Sequence, residues 1–137
     1  MARSGKPLIQ YLSEAEAIAI NSRMVAKYGG LHGVKDLHML RLAVGRPQMS
    51  VAFQDAYKTI FDKAAAIFHS IINNHPFLDG NKRTSLFSAI LFLKYNGWIL
   101  EARRKVAVKF TRKAHNEDYT VAQISKWLES HSKRARR

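Results

Sequence analysis

The sequence predicts an all-α protein, a compact helical bundle. Helix-capping signals recur along the chain, and between them apolar residues return every three or four positions. One segment, "RTSLFSAILFLKYNG" (83–97), is apolar on almost every side, the mark of a helix buried at the centre of a bundle. A chain of 137 residues with 47% hydrophobic residues supports one such domain with a real core. Residues 1–132 are assigned to that domain, and 133–137 to a basic, disordered tail.

The elements follow in order. "SEAEAIAINSRMVAKYGG" opens with a capping box, Ser13 at the N-cap and Glu16 three residues on. Ala17, Ile20 and Met24 share a side, and Gly29 or Gly30 closes the helix. A shorter helix starts at Asp36 and carries Leu37, Leu40 and Val44 on one side. Gly45 and Pro47 end it. "MSVAFQDAYKTIF" reads either as a short helix or as an irregular linker. "KAAAIFHSIINN" is a helix with Ala64, Ile67, Phe68, Ile71 and Ile72 on its apolar side. The all-round apolar helix comes next, terminated by Asn96 and Gly97. In "RRKVAVKFTRKAHN", Val106, Val108 and Phe110 alternate like a strand, while Ala102, Val106, Phe110 and Ala114 recur at four like a helix; the helix is preferred. "TVAQISKWLESH" has a second capping box, Thr120 with Gln123, and buries Val121, Ile124, Trp127 and Leu128.

Composition limits the function. There is no cysteine, so neither a disulfide nor a thiolate metal site is available, which suits a reducing compartment. The opening "MARSGKPLIQ" lacks the apolar run of a signal peptide, and "LFSAILFL" is far short of a membrane span. A cytoplasmic protein is expected. The 23 Lys and Arg against 10 Asp and Glu give a formal charge of +13, which favours anionic partners.

Between the two most apolar helices lies "HPFLDGNKRT" (75–84). Pro76 disfavours the α conformation at His75 and ends the first helix there. The next helix begins near Arg83 and Thr84, so the loop leads to a helix N-terminus, where free N–H groups and the dipole attract anions. Gly80 permits positive φ or close approach to a ligand, and Asn81 tolerates a left-handed turn. Lys82 and Arg83 add two cations, and Arg83 offers a fork for phosphate oxygens. These residues form a phosphate cradle without the G-x-x-x-x-G-K-[ST] or G-x-G-x-x-G pattern. Asp79 would repel a bare phosphate and makes sense with a divalent cation between them. His75 is then a candidate general base for an attacking hydroxyl, and Phe77 is the anchor that pins the loop to the core.

"HPFLDGNKR" resembles the signature of Fic-domain proteins, H-P-F-x-[DE]-G-N-[GK]-R. Lys at its eighth place resembles the Doc ("death on curing") branch, the toxins of toxin–antitoxin pairs. "KYGGLHG" (27–33) resembles the family's RYGG segment, with Lys27 in place of Arg, and "NKRTSLFSAILFLKYNGW" resembles the Doc helix that ends in Asn-Gly. The resemblance implies a compact Fic-type helical bundle with the motif loop between two central helices. It implies that His75 takes a proton from a target hydroxyl, with Lys82 and Arg83 as catalytic cations. Asp79 would hold Mg²⁺, Gly80, Asn81, Lys82 and Arg83 would contact the phosphates of ATP, and Phe77 would be structural. Most Fic enzymes transfer AMP to a protein. The Doc branch phosphorylates a threonine of elongation factor Tu and halts translation. AMP-transferring members carry Gly where this chain has Lys82, and a second Arg where it has Leu86, which favours the kinase reading. The internal brake [ST]-x-x-x-E-[GN] is absent, "SKWLES" (125–130) being a near miss, so inhibition would fall to a separate, acidic antitoxin.

Three other readings compete. An AMP transferase is the runner-up. A basic nucleic-acid-binding module ranks lower, because the sequence has no clear helix-turn-helix and no aromatic stacking platform. A metal hydrolase using His69 and His75 ranks last: the two point in different directions on a helix, and no third ligand is evident. His69 is read as a partly buried helix residue, His32 and His38 as loop and helix-surface groups, His115 and His131 as groups in polar surroundings, and Trp98 and Trp127 as core anchors.

Overall fold

A computed structural model describes residues 8–136. Among them are six α-helices: α1 (Glu14–Tyr28), α2 (Leu37–Gly45), α3 (Ile60–Asn74), α4 (Asn81–Tyr95), α5 (Arg104–Asn116) and α6 (Val121–Ser130). The all-α expectation holds, and both capping boxes predicted from sequence form, Ser13 with Glu16 and Thr120 with Gln123. A third was not foreseen: Thr59 caps α3 together with Asp62, so that helix starts earlier than its apolar run suggests.

The core is organised around α3. Phe61, Ile67, Phe68, Ile71, Ile72 and three consecutive alanines, Ala64 to Ala66, are all buried along it. It packs chiefly against α4 and α6, with α2 on a further side, while α1 lies on α4. This departs from the sequence reading, which made α4 the fully enclosed helix. The buried side of α4 is lined largely by small residues, Thr84, Ser85, Ser88 and Ala89, which bring its backbone close to α3. Leu86, Phe92 and Leu93 join them in the core, but the other large residues do not: Phe87 is exposed, and Ile90 and Leu91 are half-buried. Periodicity cannot separate these cases, because a helix apolar all round does not say which side its neighbour takes.

Four short strands, numbered β1 to β4, accompany the helices. The stretch left open as helix or linker is a hairpin, β1 (Ser50–Val51) with β2 (Gln54–Asp55), and Phe53 stands fully exposed at its tip with φ of 66°. Buried Lys63 anchors its base, donating to Asp55 Oδ2 at 3.1 Å and to the Tyr57 carbonyl. β3 (Trp98–Leu100) pairs antiparallel with β4 (Ser132–Arg134). Residues 133 and 134, read from charge as part of a disordered tail, are therefore in a sheet. Lys133 meets Glu101 at 2.7 Å, and the Arg134 guanidinium lies over the Trp98 ring at 5.1 Å. Each cation has a local partner that lies more than thirty residues away in sequence. Arg137 lies outside the described residues.

Candidate active site

The motif loop is held by its own backbone and by the segment after α1. His75 caps α3 in the left-handed conformation, φ 49° and ψ 60°, and its N–H still reaches the Ile71 carbonyl at 3.2 Å. The Pro76 carbonyl accepts from the amides of Lys35 (2.7 Å) and Asp36 (3.0 Å), and the Leu78 amide donates to the Gly33 carbonyl (3.0 Å). Phe77 is 1% exposed and belongs to the core. Truncating such a ring costs about 3–5 kcal/mol, so the loop cannot lift away cheaply.

The Asn81 side chain closes the loop on itself. Its Oδ1 accepts from the Phe77 amide at 3.0 Å, and its Nδ2 donates to the Phe77 carbonyl at 2.9 Å. The amide is used inside the loop, so toward a ligand Asn81 offers its backbone N–H. Gly80, with φ 77°, is the N-cap of α4, which starts two residues earlier than the sequence suggests. A Cβ there would come within 3.2 Å of Asn21 Nδ2 and 3.3 Å of Val25 Cγ2, so glycine is needed for close approach to α1 as well as for its φ. The Thr84 amide bonds back to the Gly80 carbonyl, and among the described residues the amides of Asn81, Lys82 and Arg83 have no partner, the kind of first turn that favours anions.

His75, Leu78, Asp79, Gly80, Asn81, Lys82 and Arg83 together line an open depression of about 300 Å³. All the residues predicted for the site except the structural Phe77 are in that lining. Lys82 and Arg83 are exposed at one edge and extend it into a groove between α4 and α5. Asp79 is half-buried, and its Oδ2 accepts from the Leu31 amide at 2.7 Å. Among the described residues no cluster of three or more His, Cys, Asp or Glu could hold a metal alone. A cation at Asp79 would need oxygens from a ligand, which is how Mg²⁺ binds with nucleotides: one or two carboxylates, phosphates and water. The donor set fits that cation.

Three contributors escaped the sequence reading. Asn21 is buried, and its Nδ2 donates to the Asp79 carbonyl (2.8 Å) and to Thr84 Oγ1 (3.1 Å). A signal existed, since Asn21 lies four residues after Ala17 and four before Val25, a polar residue on the buried side of α1. Tyr28 ends α1 beneath the Arg83 guanidinium, 3.9 Å from its ring centre, and accepts from Arg104 Nη2 at 3.1 Å. His115, read as sitting in polar surroundings, lies beside His75 with ring centroids 5.5 Å apart, and its Nδ1 is buried with no hydrogen-bond partner among the described residues. No sequence signal joins residues forty positions apart. His69 took its predicted half-buried place in a helix. Its Nδ1 lies 2.9 Å from Arg46 Nη1, which ties it to the base of the hairpin rather than to His75.

Comparison with protein-family models matches residues 11–93 to the Fic/DOC family. The chain is 40% identical over 95 residues to Toxin Doc of Mycolicibacterium smegmatis, covering 69% of this chain and 71% of that protein. It is 36% identical over 89 residues to Protein kinase doc of Escherichia phage P1, covering 65% of this chain and 70% of that protein.

Proposed function

The chain belongs to the Fic/DOC family as a Doc-like toxin, and from that premise we propose that it transfers the γ-phosphate of ATP to a serine or threonine hydroxyl of a translation protein, with elongation factor Tu the expected target. The observation that carries the reading is the single depression in which His75 shares walls with the unpaired N-terminus of α4 and its two exposed cations. An acceptor base and a phosphate cradle are the two parts that phosphoryl transfer requires, because its catalysis is mostly positioning and charge stabilisation.

In this mechanism the amides of Asn81, Lys82 and Arg83 and the two cationic side chains hold the phosphates. Arg83 acts from a supported position, its guanidinium carbon 3.9 Å from the centre of the Tyr28 ring. His75 takes the proton of the target hydroxyl as its oxygen forms a bond to the γ-phosphorus. The bond from that phosphorus to the β–γ bridging oxygen breaks, and ADP leaves. Mg²⁺, when bound, would neutralise charge on the phosphates, and Asp79, whose Oδ2 accepts from the Leu31 amide, is the residue that would hold it.

Lys82 and Leu86 favour the γ-phosphate over the α-phosphate. Lys82 occupies the place where AMP-transferring relatives of this family have glycine, and Leu86 is a buried apolar residue where they have a second arginine. The test is to incubate the protein with elongation factor Tu and ATP labelled at either phosphate. Label arriving from the γ position alone is expected; label from the α position alone makes the enzyme an adenylyltransferase.

A separate acidic antitoxin is the proposed inhibitor. The formal charge of +13 supports it. So does the groove between α4 and α5, where Leu86, Phe87, Ile90 and Val108 are flanked by Lys27, Arg83 and Arg104. Among the described residues no helix is long and apolar enough to cross a membrane, and work on a translation factor would be done in the cytoplasm.

A further inference from the structure

We propose that the turn following α1 is part of the cation site: Gly30 and the Leu31 amide position the Asp79 carboxylate and thereby set how tightly it holds a divalent cation. The inference rests on the nucleotide-and-Mg²⁺ reading above and assigns a role to two residues outside the motif loop.

Three contacts converge on Asp79. The Leu31 N–H donates to Oδ2 at 2.7 Å, a short charge-assisted bond. It occupies one carboxylate oxygen, and among the described residues Oδ1 has no protein partner. Asn21 holds the Asp79 main-chain carbonyl from the body of α1 at 2.8 Å, so the residue cannot back away. Gly30 closes the third side. A Cβ at residue 30 would lie 2.7 Å from Asp79 Cβ, 3.1 Å from Cγ and 3.2 Å from Oδ2, with φ already at 113°. Any side chain at 30 must therefore rotate the carboxylate or push the turn away, and either movement breaks the Leu31 bond. A carboxylate freed in this way must be re-ordered when the cation binds. Partners that orient a ligand are typically worth 10- to 100-fold in metal affinity.

The neighbouring residue supplies a matched control. Gly29 also has a positive φ, 95°, but a Cβ there meets nothing within 4 Å. Gly29→Ala therefore imposes the backbone strain of an L-residue without touching Asp79, and Gly30→Ala imposes both.

The experiment is isothermal titration with a non-hydrolysable ATP analogue, with Mg²⁺ or with EDTA, on the unsubstituted chain, Gly29→Ala, Gly30→Ala, Asp79→Ala and the Gly30→Ala/Asp79→Ala pair. Circular dichroism melting verifies that each is folded. Mg²⁺ is expected to tighten binding to the unsubstituted chain and to Gly29→Ala. For Gly30→Ala this tightening should shrink by roughly 10- to 100-fold, and the double variant should bind like Asp79→Ala alone. The inference is overturned if Gly30→Ala keeps the full Mg²⁺ effect, if Gly29→Ala loses as much, or if Gly30→Ala weakens Asp79→Ala further. An unsubstituted chain that binds the analogue without any Mg²⁺ effect overturns the cation reading and this inference together, so the two failures are distinguishable. Should Gly30→Ala not fold, Leu31→Pro, which deletes the amide hydrogen and keeps Gly30, takes its place with the same expected loss.

Discussion

The imidazole of His115 packs against that of His75, ring centroids 5.5 Å apart and planes inclined at 32°. It comes from the last turn of α5, and among the described residues neither nitrogen of the His75 ring has a hydrogen-bond partner. If His75 is the base, the neighbouring ring is the contact that would orient it. His115→Ala should lower kcat by about tenfold or more with the KM for ATP unchanged, since misplacing a reacting group by 1 Å can cost about 10²-fold. His115→Phe, which restores a ring, should recover most of the loss. Steady-state kinetics on the three proteins decide the point; a rise in KM alone would place His115 in nucleotide binding instead.

Tyr28 should act on binding rather than on turnover. Its ring carries Arg83 at 3.9 Å and has Lys27 and Arg104 within 5.4 Å of its centre. A partly exposed cation–π contact is worth about 1 kcal/mol. Tyr28→Ala should therefore weaken nucleotide binding several-fold, while Tyr28→Phe keeps the stacked ring and loses only the Arg104 hydrogen bond. Titration calorimetry with the same ATP analogue tests both.

Asn21 should matter to stability as well as to the site. Asn21→Ala leaves the Asp79 carbonyl and the Thr84 hydroxyl without their buried donor. Leaving buried partners unsatisfied costs about 1–3 kcal/mol. Urea unfolding should show a lower midpoint with an unchanged m-value.

His69 gives the fold an acid-sensitive joint. Burial first, and the Arg46 guanidinium second, hold its pKa below the ordinary 6.5, opposed in part by Asp118. The folded state therefore binds its proton less readily than the unfolded chain does. The stability this contributes is complete above pH 6.5 and is lost as pH falls below it toward the lowered folded pKa. Unfolding midpoints measured from pH 8 down to 5, on the order of a unit per step, should decline more steeply for the native chain than for His69→Gln.

Strand β4 should belong to the domain. Ending the chain after His131 removes the three residue pairs with β3 and uncovers Trp98. Net hydrogen-bond contributions near 1 kcal/mol each suggest a loss on the order of 2 kcal/mol, readable as a lower melting temperature. An unchanged Tm would return residues 133–136 to the status of an appendage.

What the sequence by itself determined was mostly local, though the Thr59 cap of α3 and the hairpin at 50–55 went unread. Helix ends follow from side chains reaching amides three residues away, so Ser13 and Thr120 are legible in the sequence as caps, and Asp36 as a helix start. The motif loop was legible too, because its chemistry lies in ten consecutive residues that the fold leaves together. Tertiary structure alone decided which side of α4 faces α3, that a charged C-terminal stretch becomes a strand, and which residues support the loop. Asn21, Gly30 and Tyr28 reach it from α1 and its following turn, and His115 from α5. The reason is physical. Capping and periodicity act over three or four residues along the chain, whereas the supports of the loop act through contacts shorter than 6 Å between segments dozens of residues apart. A one-dimensional pattern carries no record of such contacts.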